Sequence, residues 1–270
     1  MSNIAFIGAG NMARALLTGL VDSGFDPSKL RAADPDAQQR QQLASLNVAT
    51  FADNAEAIAG ADAIVLAIKP QVMGSVLSGL TTLTADQLLI SIAAGIPMVA
   101  MEQALGRNQP IVRCMPNTPA LLGQGVTALV ANKQCSRPQR QLGEQVLRAA
   151  GKIHWLSDEA DLDAVTAISG SGPAYFFYLM EAMISAGVAL GLSAELARSL
   201  ATETALGAAR MAVEGDLPPA QLRKNVTSPG GTTERALSVL NDAGVAEALM
   251  QAMDQAAARS KELAEDFSKT

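Results

Sequence analysis

Ile4-Ala5-Phe6-Ile7-Gly8-Ala9-Gly10-Asn11-Met12-Ala13 decides the fold. Four apolar residues run into G-x-G-x-x-A, and the pattern then switches to helix period through Met12, Ala15, Leu16 and Leu20. A strand, a glycine-rich turn and a helix in that order open a dinucleotide-binding βαβ unit. Each small residue has its own task. Gly8 permits the tight turn, Gly10 lets the backbone approach a pyrophosphate, and Ala13 lets the helix pack closely on the strand. The pyrophosphate would rest on the helix N-terminus, against backbone N–H groups that have no partner inside the helix. Cofactor contacts are therefore expected from Ile7, Gly8, Ala9, Gly10, Asn11 and Met12. An acid about 20 positions beyond the third small residue reads a ribose 2′-hydroxyl in such folds, and Asp34 stands there. Its carboxylate favours NAD(H), Arg31 and Arg40 pull toward NADP(H), and Asp34-Pro35 equally suits a cap on the next helix. The cofactor reads as NADP(H) or NAD(H).

Outward from this motif the first half alternates between the two hydrophobic periods. Strands are expected over 30–33, 61–68, 88–93 and 110–115, with 125–130 and 152–156 finishing the sheet, and a helix over 38–46. The runs ADAIVLAI and LLISIA are continuously apolar, as in strands buried on both faces. Two further turns, Ala67-Ile68-Lys69-Pro70 and Ala93-Ala94-Gly95, fall at the carboxyl ends of such strands, where a doubly wound sheet meets its cofactor. Beyond residue 160 only helical periods remain, at 162–168, 173–190, 194–213, 218–224, 233–240 and 245–263. The chain thus divides into a Rossmann-type doubly wound parallel α/β domain, 1–160, and an all-α dimerisation domain, 161–270. The helix carrying Tyr175, Phe176, Phe177, Tyr178, Leu179 and Met180 is apolar on more than one face, which calls for burial against a second copy.

Composition narrows the function. The 270 residues are 49% hydrophobic and 17% charged, so a large core is available and disorder is excluded. A net charge of −6, one Trp and two Tyr argue against nucleic acid. No run reaches the ~18 uncharged apolar residues of a membrane span, and two cysteines point to a reducing cytoplasm without a metal or disulfide framework. The single histidine, His154, sits beside Trp155 with no triad around it, which suits a structural role.

Three further motifs occur in order: Met115-Pro116-Asn117-Thr118-Pro119-Ala120, Ser169-Gly170-Ser171-Gly172-Pro173-Ala174-Tyr175, and Val226-Thr227-Ser228-Pro229-Gly230-Gly231-Thr232-Thr233. With IGAGNMA and IKPQ they cover the whole chain, which resembles the Δ1-pyrroline-5-carboxylate reductases of proline biosynthesis. The resemblance implies hydride transfer from NAD(P)H to C5 of the cyclic imine, giving L-proline. It also implies a homodimer with interlocked helical domains and shared active sites, in some members extended to a decamer. Asn54 matches the asparagine near the adenosine ribose, Asn225 the one reaching the cofactor across the interface, and Glu159 a residue near the substrate. The amides of Gly231, Thr232 and Thr233, with Ser228 opening the loop, match the carboxylate site, and the Thr233 hydroxyl faces the ring nitrogen as the catalytic group. Many members carry Ser, Thr or Arg where Asp34 stands, which weakens the inference of NADPH preference.

The chemistry agrees with the residues: a preformed cyclic imine needs a hydride, a proton and a seat for its carboxylate, with no metal and no covalent intermediate. A hydroxyacid dehydrogenase of similar architecture would offer a lysine on the long helix, and none lies between Lys152 and Lys224. A nucleotide-binding sensor without turnover is the other alternative, separable by whether L-proline stabilises the protein in the presence of NADP⁺.

Overall fold

A computed structural model describes residues 2–268, Ser268 by its backbone alone. The described residues fall into two compact units, 2–171 with 255–268, and 172–254. The sequence places its break at 160. In the structure α7 (Asp161–Val165) and the π-helical turn Thr166–Gly170 belong to the first unit, because Leu162 and Ala167 are buried there.

The first unit is built on β1 (Ile4–Ile7), α1 (Asn11–Asp22), β2 (Leu30–Ala33), α2 (Ala37–Gln41), β3 (Ala49–Phe51) and α3 (Asn54–Ile58). It continues with β4 (Ala63–Leu66), α4 (Met73–Gly79), β5 (Leu88–Ser91), α5 (Met98–Leu105), β6 (Ile111–Met115), β7 (Gly125–Ala131), α6 (Arg137–Arg148) and β8 (Gly151–Trp155). The sheet order is β3-β2-β1-β4-β5-β6-β7-β8. Pairing is parallel from β3 to β6, as the alternating periods require. The strand order reverses around β1, which puts the topological switch point where β1 and β4 end. β7 runs antiparallel to β6 and parallel to β8. The link from β6 to β7 is a short 3-10 turn, Thr118–Leu122, too brief for the crossover that a parallel pair demands.

Side-chain alternation divides the core into two layers. Ile4 and Phe6 point into the cluster under α1 and α6, with Leu16, Leu17, Leu20 and Val146. Ala5 and Ile7 point into the cluster with Ile64, Leu66, Met73, Leu77 and Met101. Each large side chain buried in this way contributes roughly 2 kcal/mol of transfer free energy. The C-terminal part of α12 (Val245–Ser268) also belongs here: Ser260 is buried and its hydroxyl donates to Asp163 Oδ1 at 2.6 Å.

The second unit holds α8 (Gly172–Ala189), α9 (Ala194–Glu214), α10 (Pro219–Asn225), α11 (Thr232–Asp242) and the start of α12. α8 and α9 approach closely, since a Cβ on Gly187 would meet Ala197 Cβ at 3.0 Å. The hydrophobic clusters found among the described residues contain no residue of this unit. Phe176, Phe177 and Tyr178 are 63%, 62% and 77% exposed in the single chain.

Candidate active site

A cleft of about 410 Å³ opens at the carboxyl ends of β1, β4, β5 and β6. Its floor is the glycine-rich turn. Gly8 has φ +95°, and a Cβ there would lie 2.3 Å from the Ala67 carbonyl oxygen, so only glycine lets β1 turn beneath β4. Gly8 N donates to Ala33 O at 2.7 Å, and Ala67 N to Ile7 O at 2.8 Å. Gly10 is the N-cap of α1 and offers no side chain to its first amides. A Cβ on Gly10 would meet nothing within 4 Å. An open concavity over unpaired helix amides fits the pyrophosphate of a dinucleotide. Ala13 is fully buried in the core layer beneath.

The cleft collects many of the expected cofactor residues: Gly10, Asn11 and Met12 from the turn, Ala67 to Pro70 after β4, and Ala93 with Ala94 after β5. Lys69 is exposed at its edge. Met115 to Thr118 form the facing wall, its Asn117-Thr118 part belonging to the rigid loop Asn117-Thr118-Pro119 that the sequence reads as a wall of the nicotinamide pocket, while Ile92 and Gly170 carry no such signal in the sequence. Asn117 fixes that wall, donating from Nδ2 to Ser169 O (3.1 Å) and accepting from Val126 N (2.9 Å). Gly170 packs there because a Cβ would lie 2.4 Å from Met115 Cε.

Other expected residues are placed differently. Ile7 is a core side chain. Gly95, at φ +76°, turns away from the cleft: its missing Cβ makes room for α12, with Leu263 Cβ only 2.6 Å from where it would sit. Asn54 begins α3 outside the cleft lining. Asp34 accepts from Ala9 N (2.8 Å) and Asp36 N (2.9 Å), so it pins the glycine-rich turn to the end of β2. Asp36, not Asp34, caps α2. Arg40 donates to the carbonyls of Asp34 and Pro35 (2.6 and 3.0 Å), which leaves a cation beside that carboxylate.

Glu159 belongs to an internal ion pair. Its Oε1 accepts from Arg113 Nη1 (2.7 Å) and from Met98 N (2.8 Å). Arg113 is a buried cation that sequence reasoning overlooked. The only signal was a lone charge in the apolar run PIVRCM. The two thiols are inert by environment, since burial raises Cys114 far up and Cys135 to about 11. Among the described residues, no cluster of His, Cys, Asp and Glu suits a metal ion, and His154 is exposed on β8.

In the second unit, Ser228-Pro229-Gly230-Gly231 turns into α11 with Gly231 as N-cap. Gly231 N donates to Ser228 O (3.0 Å), so that amide is spent on the turn. The amides of Thr232 and Thr233 have no partner among the described residues and point off the helix end as an anion cradle. Glu234 accepts from Gly230 N at 2.7 Å and closes the turn from below. Asn225 ends α10, exposed, with its Oδ1 taken by Gln221 Nε2.

Comparisons with known proteins follow this division. Residues 159–263 match a family model described as pyrroline-5-carboxylate reductase dimerisation, and residues 3–95 one described as NADP oxidoreductase, coenzyme F420-dependent. The pyrroline-5-carboxylate reductase of Pseudomonas aeruginosa is 52% identical, over 98% of this chain and 97% of that one. That of Pasteurella multocida is 41% identical, over 98% of each. Among solved structures, the reductase of Coxiella burnetii superposes with a TM-score of 0.90 at 41% identity, covering 97% and 98% of the two chains. The Plasmodium falciparum pyrroline carboxylate reductase, a structure with NADP bound, gives 0.89 at 33%, again covering 97% and 98%. Identity of this order along nearly the whole length of several such enzymes means that the chain belongs to the pyrroline-5-carboxylate reductase family.

Proposed function

We propose that this chain catalyses the family's reaction, NAD(P)H-dependent reduction of Δ1-pyrroline-5-carboxylate at C5 to L-proline. The observation that carries the reading is the pairing, in one chain, of an open dinucleotide cleft over the N-terminus of α1 with a bare anion cradle at the N-terminus of α11. A reduced nicotinamide, held by Gly10 to Met12, Ala67 to Pro70, and Ala93 and Ala94, would supply the hydride. The substrate carboxylate sits on the Thr232 and Thr233 amides, where the helix dipole adds to two N–H bonds. The Thr233 hydroxyl faces the ring nitrogen and orients it. A free hydroxyl is too weak an acid to protonate the nitrogen alone, so the proton comes from water or arrives with the iminium form of the substrate.

The functional assembly we infer is a homodimer in which the α11 loop of one subunit completes the cleft of its partner, with Asn225 reaching the cofactor across that boundary. Higher assembly, to a decamer, extends the same dimer. The exposed aromatic residues of α8 support it, since a soluble chain rarely leaves so large an apolar patch bare. Two protonated thiols suit a reducing cytoplasm. Both cofactors are accepted in this reading, with the Asp34 charge set against a 2′-phosphate and Arg40 set for one.

Oxidation of NADH and NADPH, followed in parallel with pyrroline-5-carboxylate, tests the reading. Imine-dependent oxidation supports it, and a folded protein that binds cofactor without oxidising it would leave a sensor instead. Thr233→Ala should lower kcat roughly 10–100-fold with cofactor Kd unchanged. An equal collapse of cofactor affinity would show that Thr233 has been misplaced.

A further inference from the structure

We infer that the Arg113–Glu159 pair positions the cofactor cleft, and that Glu159 acts on the cofactor site from behind its wall rather than on the substrate. The inference rests on the reading of that cleft as the cofactor site. Arg113 lies on β6 between Ile111 and Met115, so by alternation it faces the same apolar layer as Ile96, Met98 and Leu162. Its side chain is 7% exposed and that of Glu159 is 25% exposed. A guanidinium in such a layer needs a charged partner. Glu159 is the one the structure supplies.

What makes the pair more than a satisfied core charge is the set of segments that meet at one oxygen. Glu159 Oε1 takes Arg113 Nη1, two residues before Met115, where the facing wall of the cleft begins. The same oxygen takes Met98 N, at the first turn of α5, whose approach loop puts Ala93 and Ala94 into the cleft. Helix α5 has no side-chain cap of its own, with Pro97 at its N-cap, so this distant carboxylate does the capping. Glu159 itself leads into α7 and the π-turn that ends at Gly170, which brings a third segment to the cleft. One carboxylate therefore ties together three of the segments that line the cleft opposite the glycine-rich turn.

The test is fluorescence titration of NADH and NADPH into wild type, Glu159→Ala and Glu159→Gln, with KM for the imine measured at saturating cofactor. Glu159→Ala should weaken cofactor binding about tenfold and leave KM for the imine within about twofold. Glu159→Gln keeps an acceptor for Met98 N–H and should recover part of the loss. Should Glu159→Ala fail to fold, the Gln variant still reads the proposal through a smaller loss of cofactor affinity. Unchanged cofactor binding in a folded Glu159→Ala overturns the inference, and a raised imine KM in that protein would return Glu159 to the substrate. Absence of cofactor binding by wild type would sink the functional reading itself, a different outcome from the same titration.

Discussion

Gly8 and Gly10 show how differently two glycines of one motif are used. Gly8 is sterically obligatory, with positive φ and a carbonyl where a Cβ would go, whereas Gly10 has free space around it. Gly8→Ala should therefore cost about 2 kcal/mol or more of stability, read by denaturant unfolding. Gly10→Ala should leave the melting temperature nearly unchanged and weaken cofactor binding. Asp34 also has a double task, since it holds the Ala9 amide and sets the local charge. Asp34→Ser should move the NADPH-to-NADH preference toward NADPH by about tenfold, near 1.4 kcal/mol, in the ratio of kcat/KM values. The buried thiols give a pH prediction with a definite sign. In the fold Cys135 is held up to about 11 and Cys114 higher, from an ordinary value of 9.0. The unfolded chain ionises first, so this stability is fully present below pH 9 and is lost as pH rises through 11. Thermal melts at pH 8, 9 and 10 should fall progressively, and the Cys114→Ala, Cys135→Ala double variant should flatten that slope.

At the scale of elements, the loop before α11 is the one to which the proposed reaction assigns the substrate carboxylate. Gly230 has φ +74° and its amide is taken by Glu234, so Gly230→Ala should strain the turn and raise KM for the imine several-fold, with cofactor Kd unchanged. What the sequence made legible follows from how local each signal is. β1, its turn and α1 announce themselves because apolar run, glycines and helix period are contiguous. β3 does not: Ala49–Phe51 is three residues long, with Ala49 and Thr50 exposed and Phe51 half-buried, so it offers no alternation to detect. The direction of β7 is likewise hidden, because it depends on the length of the 116–124 connection and not on the strand's own residues. Gly95 and Glu159 are expected at the site from the sequence, but nothing in it announces the contacts they make in the fold. Their neighbours in the structure, Leu263 and Arg113, lie far along the chain and leave no local trace.

At the scale of the molecule, the two units differ in how they account for their apolar residues. Unit 1 buries two complete layers around its sheet, while α8 leaves Phe176, Phe177, Tyr178 and Leu179 more than half exposed. Burying such side chains contributes about 1.5–3 kcal/mol each, so a second copy covering this face supplies what the helical unit lacks on its own. The prediction concerns Phe177→Asp combined with Tyr178→Asp. Charge at the centre of that face should reduce the assembly to monomers, read by sedimentation velocity. Because the glycine-rich cleft is built entirely from the first unit, NAD(P)H should still bind these monomers within a few-fold of wild type. If, as proposed, sites are shared between subunits, imine reduction should nevertheless be lost, because the α11 loop would no longer reach a partner's cleft. Monomers that keep full activity would mean that each chain completes its own site, and the shared-site arrangement would be wrong even though the reaction is right.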